Sequence, residues 1–427
     1  MANPIRILFL GLFLLLGAAG IARAAGPSLL FEPATGAIIS QDRAGEPWYP
    51  ASLTKLMTAY LVFGELRQGR LTLDQKIVVS IAAQAQPPSK IGILAGKSVT
   101  VDVALQSLLV YSANDMAYVL AEAVRPDWRL FVKDMNATAA RLGMTATHYV
   151  NPNGLFDPRQ VTTARDIGLL ASALLRDYPE YAHYFSQKTV TVGKRKLANR
   201  NILIRQMPEA DGMKTGFVCN SGFNLVATAT HEKRQLAAIV FGSNSGKARA
   251  DLAQMLLTDG FARQPTGAAR KISAIANVTL GTRLPVDMTK DVCKQKRGFM
   301  AADFGEVEGW GYSLGQYGSA KEADAALRAL LLTAPGLDSG GTPGVIAMPG
   351  GGRYTALVWN LDQAASLSAC SAYRQSEQTC EVMTPAFFGE LASLAEKAAK
   401  DKKKSQGQGT GKAAAGKKKK KVTGQGN

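Results

Sequence analysis

Tyr49-Pro-Ala-Ser52-Leu-Thr-Lys55-Leu-Met-Thr-Ala-Tyr60 combines a helix start with two side chains that can react together. Pro50 fixes the backbone ahead of Ser52, and Leu56, Met57, Tyr60, Leu61 and Phe63 recur with the spacing of a largely buried helix. Ser52 therefore stands at a helix start, where unpaired N–H groups and the positive end of the helix dipole favour an alkoxide and then an oxyanion. Lys55 lies one turn on, on the same face, so its amine reaches the Ser52 hydroxyl. Alone the pattern is weak: Ser-x-x-Lys turns up about once by chance in a chain of this length, and an ordinary capped helix explains it equally.

Two distant segments change that balance. Tyr111-Ser112-Ala-Asn114-Asp115 is expected on a short connection between a helix over 101–110 and another over 116–124. The chain takes on β character from Thr189 onward, and within Asp211-Gly-Met-Lys214-Thr215-Gly216-Phe217 the Lys-Thr-Gly is expected to open the strand Phe223-Asn-Leu-Val-Ala-Thr-Ala. Ser-x-x-Lys, Ser-x-Asn and Lys-Thr-Gly in this order are the signature shared by penicillin-binding proteins and class A β-lactamases. Residues 26 to about 260 closely resemble the D-Ala-D-Ala carboxypeptidase family of low-molecular-mass penicillin-binding proteins. The likeness extends to Met135-Asn-Ala-Thr-Ala-Ala-Arg-Leu-Gly-Met144, Val150-Asn-Pro-Asn-Gly-Leu155, Thr163-Ala-Arg-Asp166 and Ser221-Gly-Phe-Asn-Leu-Val-Ala-Thr-Ala.

The resemblance implies an α/β fold of the β-lactamase and transpeptidase type, an antiparallel sheet flanked by helices, with a helical insertion carrying the Ser112 loop. Carried over residue by residue, it makes Ser52 the nucleophile, Lys55 its general base and Ser112 the relay of a proton to the leaving amine. Asn114 would hold the substrate amide, Lys214 and Thr215 the terminal carboxylate, and Gly216 would let substrate backbone lie close. The N–H groups of Ser52 and Phe217 would form the oxyanion hole. Arg249 falls where the family has an arginine for the substrate carboxylate, and a solvated helix charge explains it as well. Two departures are Ser-Ala-Asn for the commoner Ser-Gly-Asn, and Phe217 for a frequent His or Tyr. No cofactor and no metal are implied, and His148, His183 and His231 lie outside the motifs.

The 427 residues, 46% of them hydrophobic, suffice for two or three domains. Residues 1–24 read as a signal peptide: Arg6, then the apolar run Ile7 to Ile21, then Ala22-Arg23-Ala24. That places the protein in the periplasm, at the inner membrane surface or the septal wall. The net charge of +17 is concentrated at one end, where residues 397–427 hold eleven lysines and the single acid Asp401. Export makes nucleic acid an improbable partner. An anionic membrane surface or acidic wall polymer is the sharper expectation for this tail, and a solvated extension the plainer one. Four cysteines allow three pairings, of which the economical one joins Cys219 to Cys293 and Cys370 to Cys380.

The expected organisation is thus a leader (1–24), a DD-peptidase domain (25–262), a linker (263–308), a small α+β domain of order βαββαβ (309–385) and a helix with a Lys-rich tail (386–427). The small domain resembles a SPOR domain, through Trp310-Gly-Tyr312-Ser-Leu-Gly-Gln316-Tyr317 and the Cys370 and Cys380 positions. That likeness implies binding to denuded glycan strands, with Tyr312, Gln316 and Tyr317 as candidates; a generic appendage is the alternative. The expected activity is removal of the terminal D-Ala from peptidoglycan stem peptides through an acyl-enzyme, with β-lactams as inhibitors. The rivals are a DD-endopeptidase, a β-lactamase and an idle wall-binding scaffold. No Glu-x-x-Leu-Asn segment between the second and third motifs supports the β-lactamase, and the intact motifs argue against the scaffold.

Overall fold

A computed structural model of the chain describes residues 26–263, 270–279, 281–293, 309–333, 341–348, 352–374 and 380–388. The expected signal peptide, and the tail beyond residue 388, lie outside the described residues. Strands β1 (Ser28–Phe31) and β2 (Ile38–Asp42) lead into α1 (Lys55–Arg67). A mostly helical insertion follows. The ribbon of β3 (Lys76–Val78) and β4 (Ser98–Thr100) brackets the single turn α2 (Ile81–Gln84) and leads to α3 (Val101–Gln106), α4 (Asn114–Val124), α5 (Trp128–Arg141) and α6 (Ala164–Asp177). After the short α7 (His183–Ser186), the ribbon β5 (Thr189–Val192) and β6 (Arg195–Ala198), and α8 (Leu203–Gln206), the chain runs through β7 (Ala210–Val218), β8 (Gly222–His231), β9 (Arg234–Ser243) and α9 (Gly246–Phe261).

The main sheet is antiparallel, in the order β2-β1-β9-β8-β7. Its side chains alternate faces as a pleated strand requires. Ala237, Ile239 and Phe241 of β9 join a large core with α1, α4 and α6, while Leu236, Ala238 and Val240 pack with Ala253 and Leu257 of α9. Helices therefore cover both faces, which is why β8 and β9 read as nearly continuous apolar runs. Capping residues set the helix starts: Thr163 Oγ1 accepts from Asp166 N at 3.0 Å, and Ser245 Oγ from Ala248 N at 3.0 Å.

Two sequence expectations are corrected here. Lys214-Thr-Gly does not open the strand that holds Phe223; it lies inside a strand of its own, β7, paired to β8 with Lys214 opposite Val226. The segment read as a linker also binds tightly where it is described. Ile38 N donates to Arg270 O, Val278 N to Gly45 O and Met288 N to Asn220 O, and Ile272 and Met288 enter the core. This strap includes α10 (Thr289–Val292) and ends in the disulfide Cys219–Cys293, at the exit of β7.

Beyond the strap lie β10 (Trp310–Tyr317), α11 (Ala320–Thr333), β11 (Thr342–Ala347), β12 (Tyr354–Leu361), α12 (Gln363–Arg374) and β13 (Glu381–Met383). The four strands form a second antiparallel sheet, ordered β11-β12-β10-β13, with its own core and the disulfide Cys370–Cys380. Tyr312 is fully buried in that core, whereas Gln316 is exposed. Among the described residues no helix is long and apolar enough to cross a membrane.

Candidate active site

Ser52 sits in a single 3-10 turn, Ala51–Thr54, that runs into α1. Three residues per turn eclipse positions i and i+3, so the side chains of Ser52 and Lys55 lie directly in line. Lys55 Nζ is 2.8 Å from Ser52 Oγ and 2.8 Å from Asn114 Oδ1, and it also donates to Asn153 O. Two of these partners are carbonyl oxygens, which only accept. A neutral amine must spend its two hydrogens on them, and its lone pair is left facing the Ser52 hydroxyl. Ala51, immediately before Ser52, has φ 48°, a left-handed conformation that costs a non-glycine residue about 1–3 kcal/mol and persists only where the surroundings impose it.

The middle motif is shaped by an unusual helix end. After α3 the chain makes a π-type turn, Ser107–Tyr111, and Ser112 closes it at φ 67° before α4 begins at Asn114. Ser112 Oγ is thereby brought 2.8 Å from Lys214 Nζ. Asn114 Nδ2 donates to Pro87 O at 2.9 Å, which fixes the amide so that Oδ1 faces Lys55. Asp115, fully buried, accepts from Gly92 N at 2.8 Å and Ile91 N at 3.2 Å, and so ties the 87–92 loop to the start of α4.

The third motif lies on β7, the outer strand of the sheet. An outer strand leaves one row of backbone groups for an added extended peptide. A Cβ on Gly216 would sit 2.9 Å from Pro50 O and 3.2 Å from Ser52 N, so β7 comes this close to Ser52 only because residue 216 has no side chain. Thr215, Gly216 and Phe217 line a cleft of about 530 Å³ together with Ser52, Ser112 and Asn114. Phe217 is half-exposed, with its ring centroid 4.2 Å from that of Phe223. Arg249 is not a solvated helix charge: it is 7% exposed, reaches the cleft wall, and donates to Gly216 O, Asn224 O and Arg200 O at 3.2–3.3 Å.

The cleft is cationic. Burial lowers the Lys55 amine from its usual 10.5 to about 7, against a smaller opposing pull from Asp115. Burial also drives Lys214 well below its ordinary value, assisted by Lys55, Arg249 and Arg200, and it lowers Arg249 to about 10. No carboxylate is among the described residues that line the cleft.

Several contributors escaped sequence reasoning. Asn153 lies in the stretch 150–155, quoted only for its family likeness, yet its carbonyl holds Lys55. Gly154, at φ 83°, packs so closely that a Cβ would lie 1.9 Å from Ala51 O. Asn224 Nδ2 donates to Tyr49 O at 2.9 Å and its Oδ1 accepts from Gly242 N, pinning the segment ahead of Ser52 to the sheet. The signal for Asn224 was available: it is an amide in the otherwise apolar stretch Phe223-Asn-Leu-Val-Ala.

The model of a family described as D-alanyl-D-alanine carboxypeptidase matches residues 18–245, more than half of the chain. The chain belongs to this family. Among D-alanyl-D-alanine carboxypeptidases it is 35% identical over 243 residues to DacD of Escherichia coli, covering 55% of this chain and 63% of the relative. It is 34% identical over 243 residues to DacA of Haemophilus influenzae, covering 56% and 62%. The chain therefore spans less than two thirds of the length of these relatives. Of solved structures, penicillin binding protein 5 from Haemophilus influenzae superposes with a TM-score of 0.55 at 33% identity, over 56% of this chain and 71% of that one. Penicillin-Binding Protein D2 from Listeria monocytogenes, in its cefotaxime-bound form, gives 0.52 at 30% identity, over 56% and 98%. The family match ends before the second sheet begins.

Proposed function

We propose that the protein is a serine D-Ala-D-Ala carboxypeptidase that removes the terminal D-Ala from peptidoglycan stem pentapeptides. The observation that carries this reading is the Lys55 amine, anchored by two carbonyl oxygens with Ser52 Oγ at its remaining position. In the first step neutral Lys55 takes the Ser52 proton as Oγ bonds to the carbonyl carbon of the penultimate D-Ala. The oxyanion forms over the N–H groups of Ser52 and Phe217. Ser112, held by Lys214, relays the proton from Lys55 to the departing D-Ala nitrogen as the C–N bond breaks, which returns Lys55 to its neutral form. Water then attacks the Ser52 ester with Lys55 again the base, releasing the shortened peptide. Lys214, Thr215 and Arg249 receive the substrate carboxylate, and the second N–H of Asn114 Nδ2 is available for a substrate carbonyl.

The absence of a carboxylate from the described cleft lining favours this reading over a β-lactamase, because nothing there matches the glutamate that drives rapid deacylation in class A enzymes. Penicillin is therefore expected to acylate Ser52 and remain. The test is fluorescent penicillin labelling of the wild type beside Ser52→Ala, followed by incubation with a pentapeptide muropeptide and with a crosslinked dimer. Release of free D-Ala from the first supports the carboxypeptidase. Cleavage of the dimer alone makes the protein an endopeptidase, and equal labelling of both proteins removes the assignment.

We further propose the periplasm as its location, from the expected leader and the two disulfides. The 309–388 unit is proposed as a SPOR-like module for denuded glycan, with Gln316 and Tyr317 the candidates left after the burial of Tyr312. Retention of the full chain on amidase-treated glycan, but not on intact sacculi, tests that role.

A further inference from the structure

We propose that Arg328, on α11 of the second sheet, is a positioning residue for the reaction: it fixes the two loops that hold Ser52 and Lys55, so acylation depends on the docked C-terminal unit. This rests on the serine-peptidase reading above. Arg328 is only 4% exposed, and its side chain leaves its own unit. Nη1 donates to the hydroxyl of Tyr49, three residues before the nucleophile. Its Cζ lies 5.7 Å from the Tyr49 ring centroid and 5.3 Å from that of Phe156, and these two rings meet edge to face at 5.1 Å. Phe156 lies in the same loop in which Asn153 O holds Lys55 and Gly154 abuts Ala51 O. One guanidinium thus touches the segment carrying the nucleophile and the loop carrying the acceptor for its base.

Its remaining donors are tied to acids from two directions. Nε donates to Asp324 Oδ2 at 2.8 Å on its own helix, and Nη2 to Asp287 Oδ2 at 3.2 Å on the strap. Asp287 also accepts from Asn220 Nδ2 at 2.9 Å, beside Cys219 at the exit of β7. The fork therefore links the nucleophile segment, the Asn153 loop and the strap fastened to the catalytic strand. A lysine could not span these three directions, because its single ammonium lacks the planar fork. The left-handed Ala51 gives the clamp its importance: strained backbone relaxes when its supports are removed, and Ser52 would move with it.

The experiment uses the full-length chain, three single variants, Arg328→Met, Arg328→Lys and Tyr49→Phe, and the double variant that joins Arg328→Met to Tyr49→Phe. Fluorescent penicillin kinetics are resolved into the non-covalent affinity and the first-order acylation rate, with thermal unfolding recorded alongside. Arg328→Met is expected to slow the acylation step roughly 10- to 100-fold, the scale of a small misplacement of reacting groups, with the non-covalent affinity unchanged. Arg328→Lys should recover part of that loss through its charge over the rings. Tyr49→Phe should slow the step in the same direction, and the double variant should cost less than the two singles combined. Acylation by all three variants at the wild-type rate overturns the proposal, as does a parallel loss of affinity, rate and melting temperature. If Arg328→Met unfolds the second sheet, Tyr49→Phe decides, because it leaves the arginine its two carboxylates. A wild type that takes up no penicillin defeats the peptidase reading itself, before any variant is compared, and this inference with it.

Discussion

If Lys55 is the base, the acylation of Ser52 must titrate with it. Burial places this amine at about 7, so it is about half neutral at pH 7, roughly 10% neutral at pH 6 and roughly 1% neutral at pH 5. The protonated form holds no lone pair for the Ser52 proton. The second-order rate constant with penicillin, which reports the free enzyme, should therefore rise about tenfold per pH unit up to 7 and level off above about 8. Asp115 is the neighbour that opposes this depression. Asp115→Asn removes its charge but keeps an oxygen for the 87–92 loop, so the rising limb should move to lower pH. Stopped-flow labelling between pH 5 and 9, on wild type and this variant, measures both limbs. A flat profile, or a limb near the ordinary lysine value, would falsify the assignment of Lys55, and an upward shift in Asp115→Asn would refute the electrostatic account.

Gly154→Ala forces a Cβ against Ala51 O at a left-handed φ, so it should cost more than about 2 kcal/mol and abolish labelling; thermal unfolding and fluorescent penicillin check the two effects. Arg249→Lys keeps a charge but cannot span the carbonyls of Gly216, Asn224 and Arg200. It should raise KM for a carboxylate-bearing pentapeptide roughly 10- to 100-fold, read by D-Ala release, and an unchanged KM would leave Arg249 a purely structural role. The Cys219–Cys293 bond spans 74 residues, so Cys219→Ser with Cys293→Ser should destabilise the protein by up to about 4 kcal/mol on chain-entropy grounds, measured by guanidinium unfolding.

The residues that meet in the cleft were legible because the proposed chemistry demands particular side chains at short local spacing: Ser52 with Lys55, Ser112 with Asn114, Lys214 with Thr215. The carriers of those residues were less so. Asp211-Gly-Met-Lys-Thr-Gly has two glycines and a lysine, poor material for a strand, and becomes β7 only because β8 pairs along its length; tertiary pairing overrides local preference. Arg249 could be read either way because burial of a charge depends on what packs over it, here β7 and β8. Val101 to Val110 reads as one helix since nothing local announces the π-type turn that aims Ser112 at Lys214. The strap over 270–293 lacks periodicity because it is held by backbone hydrogen bonds to several separate loops, which leave no pattern in sequence. Arg328 was invisible as a participant, being 276 positions beyond the serine it lies behind.

The sulfur bridge at the exit of β7 turns residues 219 to 293 into a covalent ring that encloses β8, β9 and α9. A protease nick inside the strap between 270 and 279 would open that ring without parting it, and the two fragments would migrate as one species until a reductant is added. What the bridge retains after such a break is the downstream fragment, the end of the strap with the second sheet, still tied to the exit of β7, so the protein can lose a peptide bond there and keep both parts on one covalent frame.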